Sequence, residues 1–379
     1  MKETQIGSFI ELVENAIKEY WDLDALTDYE GATLQYKDVA RKIEKLHIIF
    51  NEAGIEKGDK IAVCGRNSSQ WAAAFLAVLT YGAVAVPILH EFTPEQIYNI
   101  LEHSESKLFF VGDQVWPDLN ADKMPGVQGI FGLHDFSLMV SRSETITNAR
   151  ERLNELFGKK FPKNFRKEHV SYRRDEHEEL AMINYTSGTT SQSKGVMIPY
   201  RAVWSNMDFA NGALGMSIHR GSKVVSILPM AHMYGMAFEF LYEFISGTHV
   251  FFLTKNPSPT IIFNAFSRIK PDLIVSVPLI LEKALRRAVL PKLQTPKMKL
   301  LMRMPYVKDK VITAIGNQLT EAFGGNFYEI IIGGAALNRD IEEFLHRIHF
   351  RFTIGYGLTE CAPIITYADW TMIPNGSCG

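Results

Sequence analysis

The stretch Tyr185–Val196 reads YTSGTTSQSKGV. Eight of its twelve residues are Thr, Ser or Gly, and its single charge is Lys194. Apolar runs flank it, Leu180–Ile183 before and Val196–Ile198 after. A hydroxyl-rich loop between two β-type segments lets backbone N–H groups converge on an anion without side-chain bulk. Thr186, Ser187, Thr189, Thr190, Ser191 and Ser193 add hydroxyl donors, and Lys194 adds a point positive charge. Phosphate is the anion such a loop suits best.

Walker-type nucleotide hydrolases need G-x-x-x-x-G-K followed by Ser or Thr. With Gly188 as the first glycine, Ser193 fills the second glycine position and Gly195 the hydroxyl position, so that class is excluded. A flexible Ser/Thr linker is the plain alternative, and local chemistry leaves it open. Against it, linkers rarely lie between two apolar β-type segments.

The stretch resembles the phosphate-binding signature of the adenylate-forming superfamily: acyl-CoA synthetases, peptide-synthetase adenylation domains and luciferases. That signature is roughly (Y/F)-T-S-G-(S/T)-T-G-x-P-K-G-V. The chain keeps Tyr185, Thr186, Ser187, Gly188, Thr189, Thr190, Lys194, Gly195 and Val196. It departs at Ser191, where the family has Gly, and at Ser193, where the family usually has Pro.

Composition sets bounds. The chain has 379 residues, 46% hydrophobic and 22% charged, enough to bury a large core. A net charge of −2 gives no electrostatic reason to expect nucleic acid as a partner. Cys64, Cys361 and Cys378 form no close pair, which points to a reducing, cytoplasmic setting and away from zinc. The opening MKETQIGSFIELVENAIKEY is too charged for a signal peptide. Asn67–Leu89 carries no charge over 23 residues, long enough to span a bilayer. Gln70, Thr80, Gly82 and Pro87 favour instead a buried helix, Ser69–Tyr81, turning at Gly82 into a buried strand, Ala83–Ile88. A peripheral membrane association stays compatible with the sequence.

Periodicity predicts an alternation of strands and helices. Helical spacing appears over 8–20 and from Tyr36 to about Ala53, with Gly54 as C-cap. Glu30-Gly31 reads as a hairpin turn. Lys60–Cys64 and 83–88 flank the buried helix, a βαβ unit that implies a parallel sheet. Thr93 caps the next helix with Pro94 at its first position, and Leu108–Val111 is the next strand. The expected fold is an open α/β architecture. Residues 112–180 are less regular, and the basic run Lys159–Arg174 followed by acidic 175–179 reads as a solvated connector.

Three more stretches carry chemical potential. Strand Lys223–Leu228 ends in Pro229-Met-Ala-His232, and ligands bind at strand C-termini in α/β sheets. A His in an apolar run is as readily a core residue. Strand Tyr328–Ile332 ends in Gly333-Gly334-Ala335-Ala336, small residues that let a flat ligand approach the backbone. Strand Arg351–Ile354 ends in Gly355-Tyr356-Gly357-Leu358-Thr359-Glu360, where Tyr356 offers a stacking face and Glu360 an oxygen ligand for a hard cation.

These stretches resemble the same superfamily in the same order, and PDLIVSVPLILEKAL (residues 271–285) resembles its long-chain acyl-CoA synthetase branch. The resemblance covers about Leu26 to Gly379. It implies a large N-terminal domain of two packed αβ subdomains, mostly parallel sheets flanked by helices, about 60–215 and about 20–59 plus 216–365. It implies an ATP/AMP site at Thr186, Ser187, Gly188, Thr189, Thr190, Lys194, Gly333, Gly334, Ala335, Ala336, Gly355, Tyr356, Gly357, Thr359 and Glu360. It further implies Mg²⁺ on Glu360 and Thr186, and His232 beside the acyl group. Apolar residues of 271–285 line a tail channel or belong to the core. The family's lid, ribose-binding Asp and catalytic Lys lie beyond Gly379, so the chain is expected to be an N-terminal part that does not complete the overall reaction alone. The implied reaction joins a fatty acid to CoA through an acyl-adenylate formed from ATP. Loading of an acyl carrier protein and a non-catalytic nucleotide-binding module are the alternatives.

Overall fold

The computed structural model describes residues 6–186, 194–255, 257–288, 295–296 and 305–379. Helix α1 (Phe9–Glu19) buries Phe9, Val13, Ala16 and Ile17 along one stripe. Strands β1 (Asp24–Asp28) and β2 (Thr33–Gln35) pair antiparallel around Glu30-Gly31, with Glu30 at φ 63°. Helix α2 (Tyr36–Glu52) follows at once, and Gly54, at φ 67°, terminates it as a left-handed cap.

A seven-stranded sheet forms the first half. Its strands are β3 (Lys60–Cys64), β4 (Val84–Ile88), β5 (Leu108–Val111), β6 (Gly129–Gly132), β7 (Leu138–Ser141), β8 (Leu180–Thr186) and β9 (Lys194–Pro199). Their order is β7-β6-β5-β3-β4-β8-β9. The five central strands are parallel, and β7 and β9 close the two edges antiparallel. Strand alternation divides the core between the two faces. Ile61, Val63, Leu108 and Phe110 face one apolar cluster, and Ala62, Cys64, Phe109 and Val111 face the other.

Helix α3 (Ser69–Tyr81) lies on the first of these faces and is buried around nearly its whole circumference. It packs on β3 and β4 and also on β1 of the second half, with Trp71 stacked on Phe75 at 5.0 Å. Its uncharged sequence is therefore explained by an interior position between layers. No helix among the described residues is long and apolar enough to cross a membrane. Helix α4 (Pro94–His103) covers the opposite face with Ile97, Ile100 and Leu101.

Residues 112–180 are more ordered than their sequence suggests. They contain β6, β7, α5 (Glu144–Glu151) and α6 (Leu153–Lys160). The strands are four residues each, too short to show a periodicity. The end of the basic run is pinned and not solvated throughout. Val170 and Tyr172 are buried, and Arg174 pairs with Glu14 of α1 at 2.9 Å. Asp175 accepts hydrogen bonds from the Ser8 hydroxyl and from the backbone N–H groups of Phe9 and Ile10, which caps α1 from a distance.

Helix α7 (Tyr200–Leu214) leads from β9 into the second half. There β10 (Lys223–Ser226) and β11 (His249–Phe252) join β1 and β2 in the order β10-β11-β1-β2. Strands β12 (Ile274–Ser276), β13 (Ile330–Ile332) and β14 (Phe352–Ile354) form a parallel sheet continuing from β10 through a parallel bridge between Val224 and Leu273. Between β10 and β11 come α8 (Met233–Gly235), a π-helical turn (Met236–Leu241) and α9 (Tyr242–Ile245). Helices α10 (Pro259–Ile269), α11 (Pro278–Ala288), α12 (Pro305–Ala322) and α13 (Arg339–Arg347) flank the sheet. A two-stranded hairpin, β15 (Tyr356–Gly357) and β16 (Ile364–Thr366), follows β14. In the segment 271–285, Leu273, Ile274, Val275, Leu281, Ala284 and Leu285 are core, the second of the two alternatives open in the sequence.

Candidate functional site

Strands β10, β13 and β14 run parallel, so their C-terminal ends share one side of the sheet. A cleft of about 220 Å³ opens there. His232 after β10, Gly333 and Gly334 after β13, and Gly355, Tyr356, Gly357, Thr359 and Glu360 after β14 all line it. Stretches more than 120 positions apart thus meet where parallel-sheet topology places loops.

Local chemistry fixes each turn. Glu239, on the π-helical turn, accepts from Ile227 N (3.1 Å), Leu228 N (2.9 Å) and the Ser226 hydroxyl (3.1 Å), which satisfies the backbone where β10 ends. Asn67 accepts from Met230 N at 2.9 Å and donates to Leu228 O at 2.6 Å. Asn184 of β8 donates to Ala231 O at 2.9 Å. Three buried polar side chains therefore hold the backbone that presents His232. His232 Nδ1 accepts from Tyr234 N at 3.3 Å as the N-cap of α8, which leaves the proton of a neutral ring on Nε2. Desolvation in the cleft lowers its pKa and favours that neutral form.

Two glycines are sterically required. A methyl on Gly333 would sit 2.9 Å from Cζ of Tyr234, whose hydroxyl donates to Ile331 O at 3.0 Å. A methyl on Gly357 would overlap the Pro363 carbonyl oxygen, which accepts from Leu358 N. Tyr356 and Glu360 are exposed in the cleft, and Glu360 makes no hydrogen bond or ion pair among the described residues. Ala335 and Ala336 follow Gly334 as exposed residues outside the lining.

The opening stretch is placed differently. Thr186 and Lys194 form the last register pair of the β8–β9 hairpin. Ser187, Gly188, Thr189 and Thr190 lie outside the described residues. Neither Thr186 nor Lys194 lines the cleft, but β9, which begins at Lys194, packs against the helical turn Thr359–Cys361. Lys194 is exposed and makes no ion pair among the described residues.

Residues 13–379 match the family of AMP-binding enzymes. The chain belongs to that family. Among its relatives, a long-chain-fatty-acid–CoA ligase, FadD15 of Mycobacterium bovis, is 24% identical over 367 residues, covering 90% of this chain and 58% of that protein. Long chain acyl-CoA synthetase 1 of Arabidopsis thaliana is 26% identical over 353 residues, covering 86% and 52%. The chain thus spans between 52% and 58% of the length of these two relatives. Among solved structures, the N-terminal domain of FACL13 from Mycobacterium tuberculosis superposes with TM-score 0.69 at 19% identity, over 94% of this chain and 77% of that one. The anthranilate CoA ligase AuaEII in complex with anthranoyl-AMP gives TM-score 0.75 at 15% identity, over 100% of this chain and 65% of that one. These likenesses establish the α/β fold of the family's N-terminal domain.

This AMP-binding enzyme has a second, apolar pocket beside the cleft. Tyr234 and Ile364 border both, and Phe209, Ala213, Phe238 and Tyr367 are among the other residues of its wall. It is small, at about 20 Å³. Phe209 meets Tyr367 edge-on at 6.2 Å. Tyr367 donates to Glu329 at 2.5 Å, and burial pushes the Glu329 carboxyl up to about 7 against that bond. The sequence reading missed Phe209 and Tyr367, which sit in no short motif; only the fold sets them in a pocket that shares Tyr234 and Ile364 with the cleft.

Proposed function

We propose that this chain is the nucleotide- and acyl-binding part of an AMP-forming long-chain fatty acid–CoA ligase. The observation that carries the reading is the shared cleft: His232, the 333–334 turn and the 355–360 turn meet there beside an apolar pocket. In this reading 60–215 and 20–59 plus 216–365 act as the two αβ halves. The three free cysteines support a cytoplasmic setting.

Roles follow from chemistry. Gly333, Gly334 and Gly355 let adenine lie against bare backbone, and Tyr356 stacks on it. Thr359 donates to the α-phosphate. Lys194, Thr186 and the loop Ser187–Thr190 orient the pyrophosphate. No three His, Cys, Asp or Glu side chains converge among the described residues, so an all-protein metal cage is not on offer. An exposed, unpaired Glu360 fits a cation shared with phosphate oxygens, and Mg²⁺ on Glu360 and Thr186 would neutralise the charge of the phosphates. The fatty acid carboxylate attacks the α-phosphate, pyrophosphate leaves, and CoA then displaces AMP from the acyl-adenylate. A neutral His232 adds no charge beside the acyl carbonyl, and the alkyl chain enters the apolar pocket once the Phe209 ring swings out. Positioning and charge neutralisation dominate such a phosphorus substitution.

The test is ATP–pyrophosphate exchange by the intact protein across acids of graded length. Exchange rises with chain length, and Glu360→Ala lowers it roughly 100-fold, the usual effect of removing one preorganised charge stabiliser. Absence of exchange with every acid would overturn the reading.

A further inference from the structure

Asn206 breaks the apolar stripe of α7. Its neighbours on that face, Val203, Met207 and Ala210, are buried hydrophobics, and Asn206 itself is only 4% exposed. A buried amide is costly unless its donors and acceptor find partners. Asn206 finds them in another part of the molecule. Its Nδ2 donates to Cys361 O at 3.1 Å, and its Oδ1 accepts from Ile364 N at 2.9 Å. A further bond, Nδ2 to Ala202 O at 2.9 Å, fixes the amide on its own helix. The two long-range bonds grip the backbone on both sides of Ala362-Pro363, the turn that joins Glu360 to β16.

An amide is suited to this because one end donates to a carbonyl while the other accepts from an N–H. The gripped segment is otherwise held by its own backbone bonds, Leu358 N to Pro363 O among them, by burial of Ala362 and Pro363, and by packing against β9. The β15–β16 hairpin has only two register pairs, Tyr356 with Thr366 and Gly357 with Ile364. Tyr356, Leu358 and Glu360 are all exposed, so side-chain burial does little to hold them. Helix α7 is anchored in turn to the first half. It continues directly from β9, and Tyr200 donates to Leu79 O of α3 at 2.8 Å.

We propose that Asn206 is a positioning residue. It holds the 356–364 turn at a fixed place over the cleft, so that Tyr356, Thr359 and Glu360 stay aimed at one nucleotide. Because α7 follows β9, the same amide couples the turn to the hairpin that carries Thr186 and Lys194. This inference rests on the nucleotide reading given above.

Hydrogen exchange and AMP titration on the intact protein test it. In Asn206→Ala, backbone amides of 357–365 exchange roughly tenfold faster, as loss of about 1.4 kcal/mol of local hydrogen bonding requires, while those of β3, β4 and β5 are unchanged. The Kd for AMP weakens roughly fivefold to tenfold in the same variant. Asn206→Asp, nearly isosteric, keeps an acceptor for Ile364 N but sets a carboxylate oxygen against the Cys361 and Ala202 carbonyls, so it loosens the turn at least as much as alanine. Met207→Ala, a plain packing loss on the same helix, lowers stability and leaves the AMP affinity alone. If neither Asn206 variant speeds exchange at 357–365, the clamp is wrong. If the turn loosens and AMP binds as before, the positioning role is wrong while the nucleotide reading stands. A wild type that binds no AMP at millimolar concentration sinks both.

Discussion

Glu243 shows how burial sets the behaviour of one residue. It lies on α9, fully buried, with the Thr248 hydroxyl beside its carboxyl. Desolvation pushes its pKa up to about 8 against the pull of the Thr248 hydroxyl, and the Asp272 charge adds to the shift. A carboxyl whose folded pKa lies above its unfolded one binds more protons when folded. Its stabilising contribution is complete below the unfolded pKa and is lost as pH rises through the folded value. The window therefore runs from about pH 4.5 to about pH 8. Glu243→Gln should match wild-type melting temperature near the bottom of that window and exceed it above the top. Thermal melts of both proteins across this range check it, and a constant difference at every pH would refute the assignment. The sequence hid this group, because an apolar helix with two glutamates does not say which way they face. At the cleft, by contrast, Gly333, Gly357, Tyr356 and Glu360 were legible from their motifs, since chemistry restricts which residue types can serve there.

At the scale of elements, caps and clamps matter more than propensity. Helix α1 would leave its first N–H groups unsatisfied without Asp175, which arrives from the far end of a segment that reads as a solvated run. Asp175→Ala should cost about 1–2 kcal/mol, the usual loss for a helix N-cap. A denaturant midpoint lowered at unchanged slope is the expected signature. An unshifted midpoint would mean that Ser8 alone suffices. Elements whose apolar spacing repeats over several turns, such as α2, α3 and α4, were legible in outline. Strands β6 and β7 were not, because four residues give no period to read. The π-helical turn at 236–241 was hidden for a different reason. It buries Glu239 against the end of β10, a demand set by a strand ten residues away.

Across the whole molecule, three free cysteines report on burial and on the cleft. Cys64 is buried on β3, and desolvation pushes its thiol pKa up, which suppresses the reactive thiolate. Cys361 and Cys378 are exposed. A disulfide reagent should titrate two thiols in the folded protein and the third only in denaturant. Cys361 follows Glu360 at the cleft edge, so ATP should slow its labelling and leave Cys378 unaffected. Mass spectrometry of the labelled peptides separates the two sites. Equal protection of both, or of neither, would argue against nucleotide in this cleft.

The amino-acid sequence by itself determined the layered α/β plan and the ordered motifs. Apolar periodicity and glycine placement are local, and each acts through neighbours a few positions away. The tertiary structure alone decided which motifs share a cavity. It put His232, Gly333 and Tyr356 around one cleft because three parallel strands end on the same side. It also left Thr186 and Lys194 out of the lining of that cleft, on an edge hairpin of the other sheet. Contacts between halves depend on how whole sheets pack, and nothing in a twelve-residue stretch records that.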